Sequence, residues 1–522
     1  MGMVAPRQRI ASAFVVFCGQ YGDVSRHARE SGLSRQGVYE QARCAAENVD
    51  GAKWRQENAR LQQRIEELEK QNALWERRCR QAVVLDEEKQ ANFATLGQAI
   101  GVSLPECWEL LEFLIPGEVL SRATLGRRTQ AAGENAGQVL AVLDEPTRQQ
   151  VRQGAADEIY VKDPVLMIVE QESLCWVSGH LSERVDGEAW AGEFRQLPNA
   201  EQMARDGGTA LAKGVALVNA ERVAAGKPPL VDQGDHFHAF YGGSIGLAHA
   251  EKRTAAALAK AEAAQRELEH CQQQGRNACG AARHAQAAWR HAEAAMDAWT
   301  ELERAWKRTK EAMRLVTPTG ELNTRAHAEA VLAETLPQLP DGAFAKVKRA
   351  VQKPEMLNFL DQVQEKLAAE PVAEEVQHAA VRQECLRRCP EALQGDSPRA
   401  AALRGVLLTT AVALTLAGDA GQQALAAVRD IFRRAYRASS LVECINSVLR
   451  MQQARHRKLT QGMLDLKRLY WNSHTFRTGR RRGTTPYQRL GVPLPQGKSW
   501  LDLLKMPPEQ LRHELSTTKK AA

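Results

Sequence analysis

Aromatic residues make up only 5% of this 522-residue chain, while Ala, Gln, Glu, Arg and Leu run throughout, a mix that argues for helix over sheet. The ten cysteines include no Cys-x-x-Cys pair. The closest two, Cys385 and Cys389, fall in an apparent helix, which argues against a zinc ribbon or finger and against a disulfide scaffold. No uncharged run reaches the ~20 apolar residues of a membrane span. The longest, Gly405 to Gly418, reads as a buried helix. The opening MGMVAPRQRIASAF has neither a long apolar core nor a cleavage pattern, so no signal peptide is expected and a soluble intracellular protein is. With 44% hydrophobic and 25% charged residues, the chain carries enough apolar surface for a core, and global disorder is excluded. Its length suits about three domains. The net charge of +7 is mild, so its location matters more than its size.

Residues 7–48 read as three short helices. Ile10, Phe14 and Phe17 share one helical face. The segment DVSRHARESGLSRQGVYEQAR carries a helix, a break at Ser31–Gly32 and a second helix capped by Ser34. This pattern resembles a helix-turn-helix, whose second helix enters the major groove and meets bases with its first residues; here those are Ser34, Arg35, Gln36 and Tyr39. In the next segment Trp54, Leu61, Leu68 and Trp75 recur every seven residues. Placed at d, they put Asn58, Ile65 and Asn72 at a, a pattern that favours a two-stranded coiled coil, with Arg64 reaching Glu69 of the partner helix. Residues 86–145 form another small helical unit. Ser121, Arg122, Arg127 and Arg128 there could open a second DNA-reading helix or line a solvated face.

From residue 154 the texture changes. Strands are expected at Glu158–Val161, Val165–Val169 and Leu174–Gly179, joined as an antiparallel meander. GEAWAGEFRQL then reads as a helix, AEQMARDGG as a strand ending in an acid and two glycines, and TALAKGVALVNAERVAAG as a helix. LVDQGDHFHAFY reads as a fifth strand or its edge. Asp157 and Asp206 are candidate carboxylates, with Glu158 and Asp163 as rivals of the first and Asp232 and Asp235 of the second. Two carboxylates held ~4 Å apart repel strongly unless cations lie between them.

The motifs, taken in order, resemble those of bacterial insertion-sequence transposases of the Asp-Asp-Glu class. ADEIYV is similar to the first-Asp strand and ARDGGTAL to the second-Asp turn. Asp235-His236-Phe237-His238 is similar to an Asp/Cys-x-x-His motif, and VECINSVLR to the Glu-x-x-Asn-Ser pattern of the last catalytic helix. Tyr470–Asn472 and Arg481–Pro486 resemble the family's ending. The likeness covers about 150 residues, in blocks at 150–245 and 436–495. It implies a ribonuclease-H-like fold with Asp157, Asp206 and Glu443 as catalytic and metal-binding residues, and two Mg²⁺ or Mn²⁺ ions as cofactors. It further implies His238, Asp235 and Asn446 in support, double-stranded DNA as partner, and a bacterial, nucleoid-associated cytoplasmic location.

The long separation of Asp206 from Glu443 is filled by residues rich in Ala, Gln, Glu and Arg, which read as an all-helical insertion. Two long helices separated by CQQQGRNACG make an antiparallel pair there. Trp289, Trp299 and Trp306 read as packing between helices, with stacking on a DNA base as the other reading. Between residues 450 and 489 eleven cations face a single acid, Asp465. Arg455, Arg457, Lys458, Arg480, Arg481 and Arg482 are the candidates there for phosphate contact.

The expected architecture is therefore a mainly α, multidomain protein. It has a helix-turn-helix at 1–50, a dimerising coiled coil at 51–85 and a second helical DNA-binding unit at 86–148. A ribonuclease-H-like α/β core at 149–245 and 436–495 is split by an all-α insertion at 246–435, and a tail follows at 496–522. The expected function is a DNA transposase that cleaves strands at element ends and transfers the 3′-OH to target DNA, acting as a homodimer or higher oligomer and without a membrane. The alternatives are an inactive or regulatory DNA-binding descendant, and a ribonuclease-H-like nuclease or resolvase.

Overall fold

The computed structural model describes residues 6–49, 51–81, 84–453, 459–495 and 497–521. The chain divides into two units, Met1–Asp86 and Glu87–Ala522. It is mainly helical, with one five-stranded mixed sheet among the described residues.

In the first unit, α1 (Pro6–Cys18), α2 (Asp23–Glu30) and α3 (Arg35–Val49) pack together, and α4 (Ala52–Gln81) follows. The core is small: Ala28, Val38, Ala42 and Ala45 are buried. Buried Ser12 ties the three helices together through hydrogen bonds to His27 of α2 (3.2 Å) and Gln41 of α3 (3.0 Å). The face bearing Ile10, Phe14 and Phe17 is turned to solvent instead. Gly32 takes the left-handed conformation at the turn (φ 69°), which glycine adopts without steric cost.

The second unit opens with α5 (Glu87–Ile100), α6 (Leu104–Leu114) and α7 (Arg122–Gln150). The sheet follows: β1 (Gln153–Val161), β2 (Asp163–Glu170), β3 (Trp176–Leu181), α8 (Gly187–Arg195), β4 (Gln202–Arg205), α9 (Thr209–Ala224) and β5 (Val231–Gly234). Its strand order is β3-β2-β1-β4-β5. β1–β2 and β2–β3 pair antiparallel, whereas β1–β4 and β4–β5 pair parallel. The expected meander is present, but β1 begins five residues before Glu158.

From β5 the chain enters α10 (His236–Gln273), which doubles back as α11 (Cys279–Ala312). Phe240 meets Trp306, Thr254 bonds the Ala295 carbonyl, and Ala257 and Ala261 pack with Ala292, so the pair is antiparallel. The helices α12 (Arg325–Thr335), α13 (Asp341–Val351), α14 (Asn358–Ala369), α15 (Glu374–Arg388), α16 (Pro398–Leu416) and α17 (Gly418–Arg433) follow. Trp306 is buried against Phe240 and Phe344, which makes it a core residue. No break falls at residue 245, the expected domain boundary: α10 runs straight through, because Asp235 starts it ten residues earlier by accepting from the Phe237 and His238 amides.

Then α18 (Ser440–Gln453) and α19 (Gln461–Ser473) return to the sheet, and α20 (Pro486–Leu490), α21 (Trp500–Lys505) and α22 (Pro508–Ala521) end the chain. Side chains alternate across a strand, and both faces of this sheet are covered. Ala156, Leu166 and Ile168 pack on Trp190 and Phe194 of α8 and Val215 of α9. Ala155, Ile159, Val165 and Met167 pack on Val442, Ile445 and Leu449 of α18 and Leu464 of α19.

The segment 86–148 does not stand apart. Leu140 and Leu143 of α7 share one core with Leu466, Leu469, Tyr487 and Leu503. Gly133 and Gly462 let α7 and α19 cross backbone to backbone: a Cβ on Gly133 would lie 2.8 Å from Gly462. Across this crossing Arg468 makes a buried two-pronged contact with Asp144 (3.0 and 2.9 Å). Asn472, from the Tyr-x-Asn stretch, bonds both the amide and the carbonyl of Trp176, capping the β3 edge (2.8 and 2.9 Å).

The apolar helix at Gly405–Gly418 is not buried as expected. Within α16, Ala400 and Leu414 are buried, whereas Leu408, Val412 and Leu416 face solvent. Among the described residues α16 is the one helix long and apolar enough to cross a membrane by length and composition. The described cysteines are all free.

Candidate active site

The parallel pairing of β1 with β4 places Ala156 beside Arg205, so Asp157, within β1, lies beside Asp206, just past the end of β4. β4 and β5 pair with Arg205 beside Gly234, which continues the row to Asp235. Asp206 and Asp235 thus follow the C-terminal ends of β4 and β5, in a row with Asp157 of β1. Open α/β sheets bind their ligands at such ends.

Asp157 points to the face that α18 covers, and Glu158 to the opposite one. Asn446 of α18 donates to Asp157 Oδ2 at 2.8 Å, and the Glu158 amide donates to Oδ1 at 2.9 Å. Asp157 is buried, and burial pushes its carboxyl up to about 7, helped by the negative charges of Asp206 and Glu443. Glu443 therefore acts on Asp157 across most of the chain's length. Glu158 is raised as well, by burial and then by Asp206, but it lies across the sheet from Glu443. Asp163 is exposed at the β1–β2 turn.

Asp206 Oδ1 accepts from the Gly208 amide (2.8 Å), which fixes the loop ahead of α9. Of its two rivals, Asp232 is engaged by the buried Arg205 guanidinium at 2.6 Å. Asp235 is saturated: besides capping α10, it accepts from the Ser439 amide (3.0 Å) and hydroxyl (2.9 Å) and from His238 Nδ1. Burial alone would raise the Asp235 carboxyl, but these donors, led by His238, hold it below its ordinary value. The ion-paired hydrogen bond to Asp235 in turn raises His238 to about 9.

His238 Nε2 lies 3.5 Å from Glu443 Oε1, and Arg450, two turns along α18, pairs with Glu443 Oε2 at 2.7 Å. Neighbouring His236 is different. It is buried, its Nε2 bonds the Met356 carbonyl (2.6 Å), and burial followed by the nearby Arg437 charge lowers it to about 3. In its neutral form it packs the turn at Met356 onto the end of β5.

Asp157, Asp206, Glu443, His238, Asp235 and Asn446 are thus brought together. Among the described residues no group of three His, Cys, Asp or Glu side chains is placed to hold a metal ion, and Glu443 is turned to Arg450 and His238. The donor chemistry nevertheless fits a hard divalent cation, which takes carboxylate oxygens, and the mutual charge that raises Asp157 is what a cation would relieve. Ser439 does not stand out in the sequence, and Arg450 counts there only as one of the eleven cations between 450 and 489. Arg450 had a signal, since it lies seven residues from Glu443 and so on the same face of α18.

The DNA-reading candidates divide. In the first unit the Ser34 hydroxyl caps α3 by accepting from the Gly37 amide (3.0 Å), and Arg35, Gln36 and Tyr39 are exposed on its first turns. In the second unit Arg122 lies over the Trp108 ring (5.8 Å) and Arg127 is exposed, but α7 continues into the core rather than ending as a short recognition helix. Of the basic segment, Arg455, Arg457 and Lys458 lie outside the described residues. Arg480 and Arg482 are exposed, while Arg481 bonds the Gln171 and Glu172 carbonyls (3.2 Å each) and holds the turn between β2 and β3. Lys467 and Arg468 are buried, contrary to their expected place on a basic surface: one bonds the Gln98 carbonyl (2.7 Å) and the other pairs with Asp144. Comparison of the chain with protein-family models, curated proteins and solved structures gives no match.

Proposed function

We propose that the chain is a DNA transposase of the Asp-Asp-Glu class: it binds the ends of a mobile element, cuts them and joins the 3′-OH to target DNA. The observation that carries this reading is the convergence of Asp157, Asp206 and Glu443 from a central strand, its parallel neighbour and a helix that returns late in the chain. The order of strands and helices from β1 to β5 supports a ribonuclease-H-like core. The long run of helices from α10 to α17, leaving the sheet at Asp235 and returning at Ser439, supports an all-helical insertion.

Asp157, Asp206 and Glu443 would hold the divalent cations, which supply activation of the attacking oxygen and stabilisation of the leaving one. Asn446 orients the Asp157 carboxylate through its hydrogen bond. Asp235 and Ser439 fix the start of α10, and Asp235 keeps His238 protonated and aimed at Glu443. His238 and Arg450 place positive charge beside Glu443 and hold its carboxylate in position. The exposed first turns of α3 would read the element ends, and α4, which carries the heptad pattern, would pair two protomers.

A catalytically silent DNA-binding regulator is the second reading, and the Arg450–Glu443 pair favours it because that contact occupies a carboxylate oxygen. Arg450 is half exposed, however, and can release Glu443 by swinging toward a DNA phosphate. Cleavage and joining of the DNA that flanks the gene, with Mg²⁺ or Mn²⁺, tests the two readings. Joined products support the transposase, and binding with neither cutting nor joining supports the regulator.

A further inference from the structure

A cavity of about 230 Å³ opens beside Asp206. One wall carries Asp206, Gly207 and His238; the other is formed by α13 and the short turn that follows it, which bring in Lys346 and Lys353. Both lysines are exposed at its rim. The neighbouring cations are already engaged: Arg205 is held by Asp232 and by Glu355 (3.4 Å), and Lys348 by Asp341 (2.7 Å). No carboxylate among the described residues forms an ion pair with Lys346 or Lys353. The Lys353 ammonium stands over Gly207, 3.7 Å from where a Cβ on that glycine would lie.

A row of acids repels DNA. Wherever bound divalent cations do not offset them, the charges of Asp157, Asp206 and Glu443 oppose the approach of a phosphate, and cations on the adjoining wall would help a strand to reach them. We propose that Lys346 and Lys353 are that wall: they bind the backbone phosphate next to the reacting one, with the sugar against the apolar floor of Ala239, Val347 and Met356. The inference rests on the transposase reading for the strand's identity. It assigns to the helical insertion a direct part in holding substrate at the acidic site.

The test uses the full chain and a duplex taken from the DNA that flanks the gene. Binding is measured over a range of salt concentrations for the native protein, Lys346→Ala/Lys353→Ala, Lys346→Arg/Lys353→Arg and Lys348→Ala. Removing one lysine–phosphate interaction lowers the slope of log affinity against log salt by about 0.9. Because both lysines serve one phosphate, the double alanine variant should lose about 0.9 from the slope, whereas the double arginine variant and Lys348→Ala keep the native slope. An unchanged slope in the double alanine variant, with native binding intact, overturns the inference and leaves the transposase reading standing. The expected loss of slope without any cleavage by the native chain keeps the phosphate site and removes the transposase reading. A native chain that does not bind the duplex at any salt concentration overturns both.

Discussion

The Asn446 amide donates a 2.8 Å hydrogen bond to the Asp157 carboxylate, joining residues 289 positions apart. Through it α18, which carries Glu443, is registered on β1, and the acids from either end of the helical excursion face one another. A one-turn slip of α18 would leave Asp157 buried without its donor.

The stability that Asp157 contributes should be lost as pH rises from about 4 to 7 and that of His238 from about 6.5 to 9, while His236, lowered to about 3, works in the opposite direction below pH 6.5. Asp157 moves from an ordinary value of 3.8 to about 7 in the folded chain, and His238 from 6.5 to about 9. In both windows the folded state holds a proton that the unfolded state has released, so raising the pH favours unfolding. Urea unfolding at a series of pH values should show Asp157→Asn losing less stability than the native chain between pH 5 and 8, by on the order of 2 kcal/mol. His238→Ala should flatten the profile above pH 7. Added Mg²⁺ should stabilise the native chain more at pH 8 than at pH 6, because the proton on Asp157 competes with it. Parallel profiles for the native chain and Asp157→Asn would contradict this account of Asp157.

The Asp144–Arg468 pair should be costly to break and cheap to replace. Asp144→Leu leaves the Arg468 guanidinium buried with only the Val177 carbonyl (2.6 Å) as a hydrogen-bond partner, and stranding one member of a buried pair costs about 3–5 kcal/mol. Asp144→Leu/Arg468→Met removes both charges and should recover most of that loss in urea unfolding. A double variant less stable than the single one would show that the pair contributes more than its own desolvation costs.

Among the described residues of α4 no apolar face is buried: Trp54, Leu61, Ile65 and Leu68 are exposed along it, and Arg64 pairs with Glu67 of the same helix at 2.8 Å. Such a helix gains little from propensity alone and most from a packed partner. Light scattering of the native chain should give at least a dimer mass, and Leu61→Glu/Leu68→Glu should give a smaller one. An unchanged mass would exclude α4 as the interface.

Much of the site was legible because short, residue-specific signals fell on the right strands. The acid after two buried alanines, the Asp-Gly-Gly turn and the Glu-x-x-Asn pattern each depend on local spacing, which strand and helix geometry convert directly into position. The start of β1 is hidden in the sequence because Gln153, Gly154, Ala155 and Ala156 lack β-branched side chains; the sheet is covered on both faces there, and small residues suit the close approach. The segment after Asp235 reads as strand because His-Phe-His-Ala-Phe-Tyr is aromatic, yet the carboxylate caps two amides and starts a helix. Lys467 and Arg468 count as surface charge in the sequence because it shows charge but not burial. The wall built by Lys346 and Lys353 is invisible there, because only the folding of α13 against the sheet edge brings it within reach of Asp206.

Glu443→Gln tests the central claim most directly. Gln keeps the size of the side chain and removes the charge, so DNA binding should stay near native. In a cleavage-and-joining assay on the flanking DNA with Mg²⁺ or Mn²⁺, the native chain should yield cut and joined strands and Glu443→Gln neither. Equal cutting and joining by the two proteins would contradict the assignment of Glu443 and, with it, the three-carboxylate site.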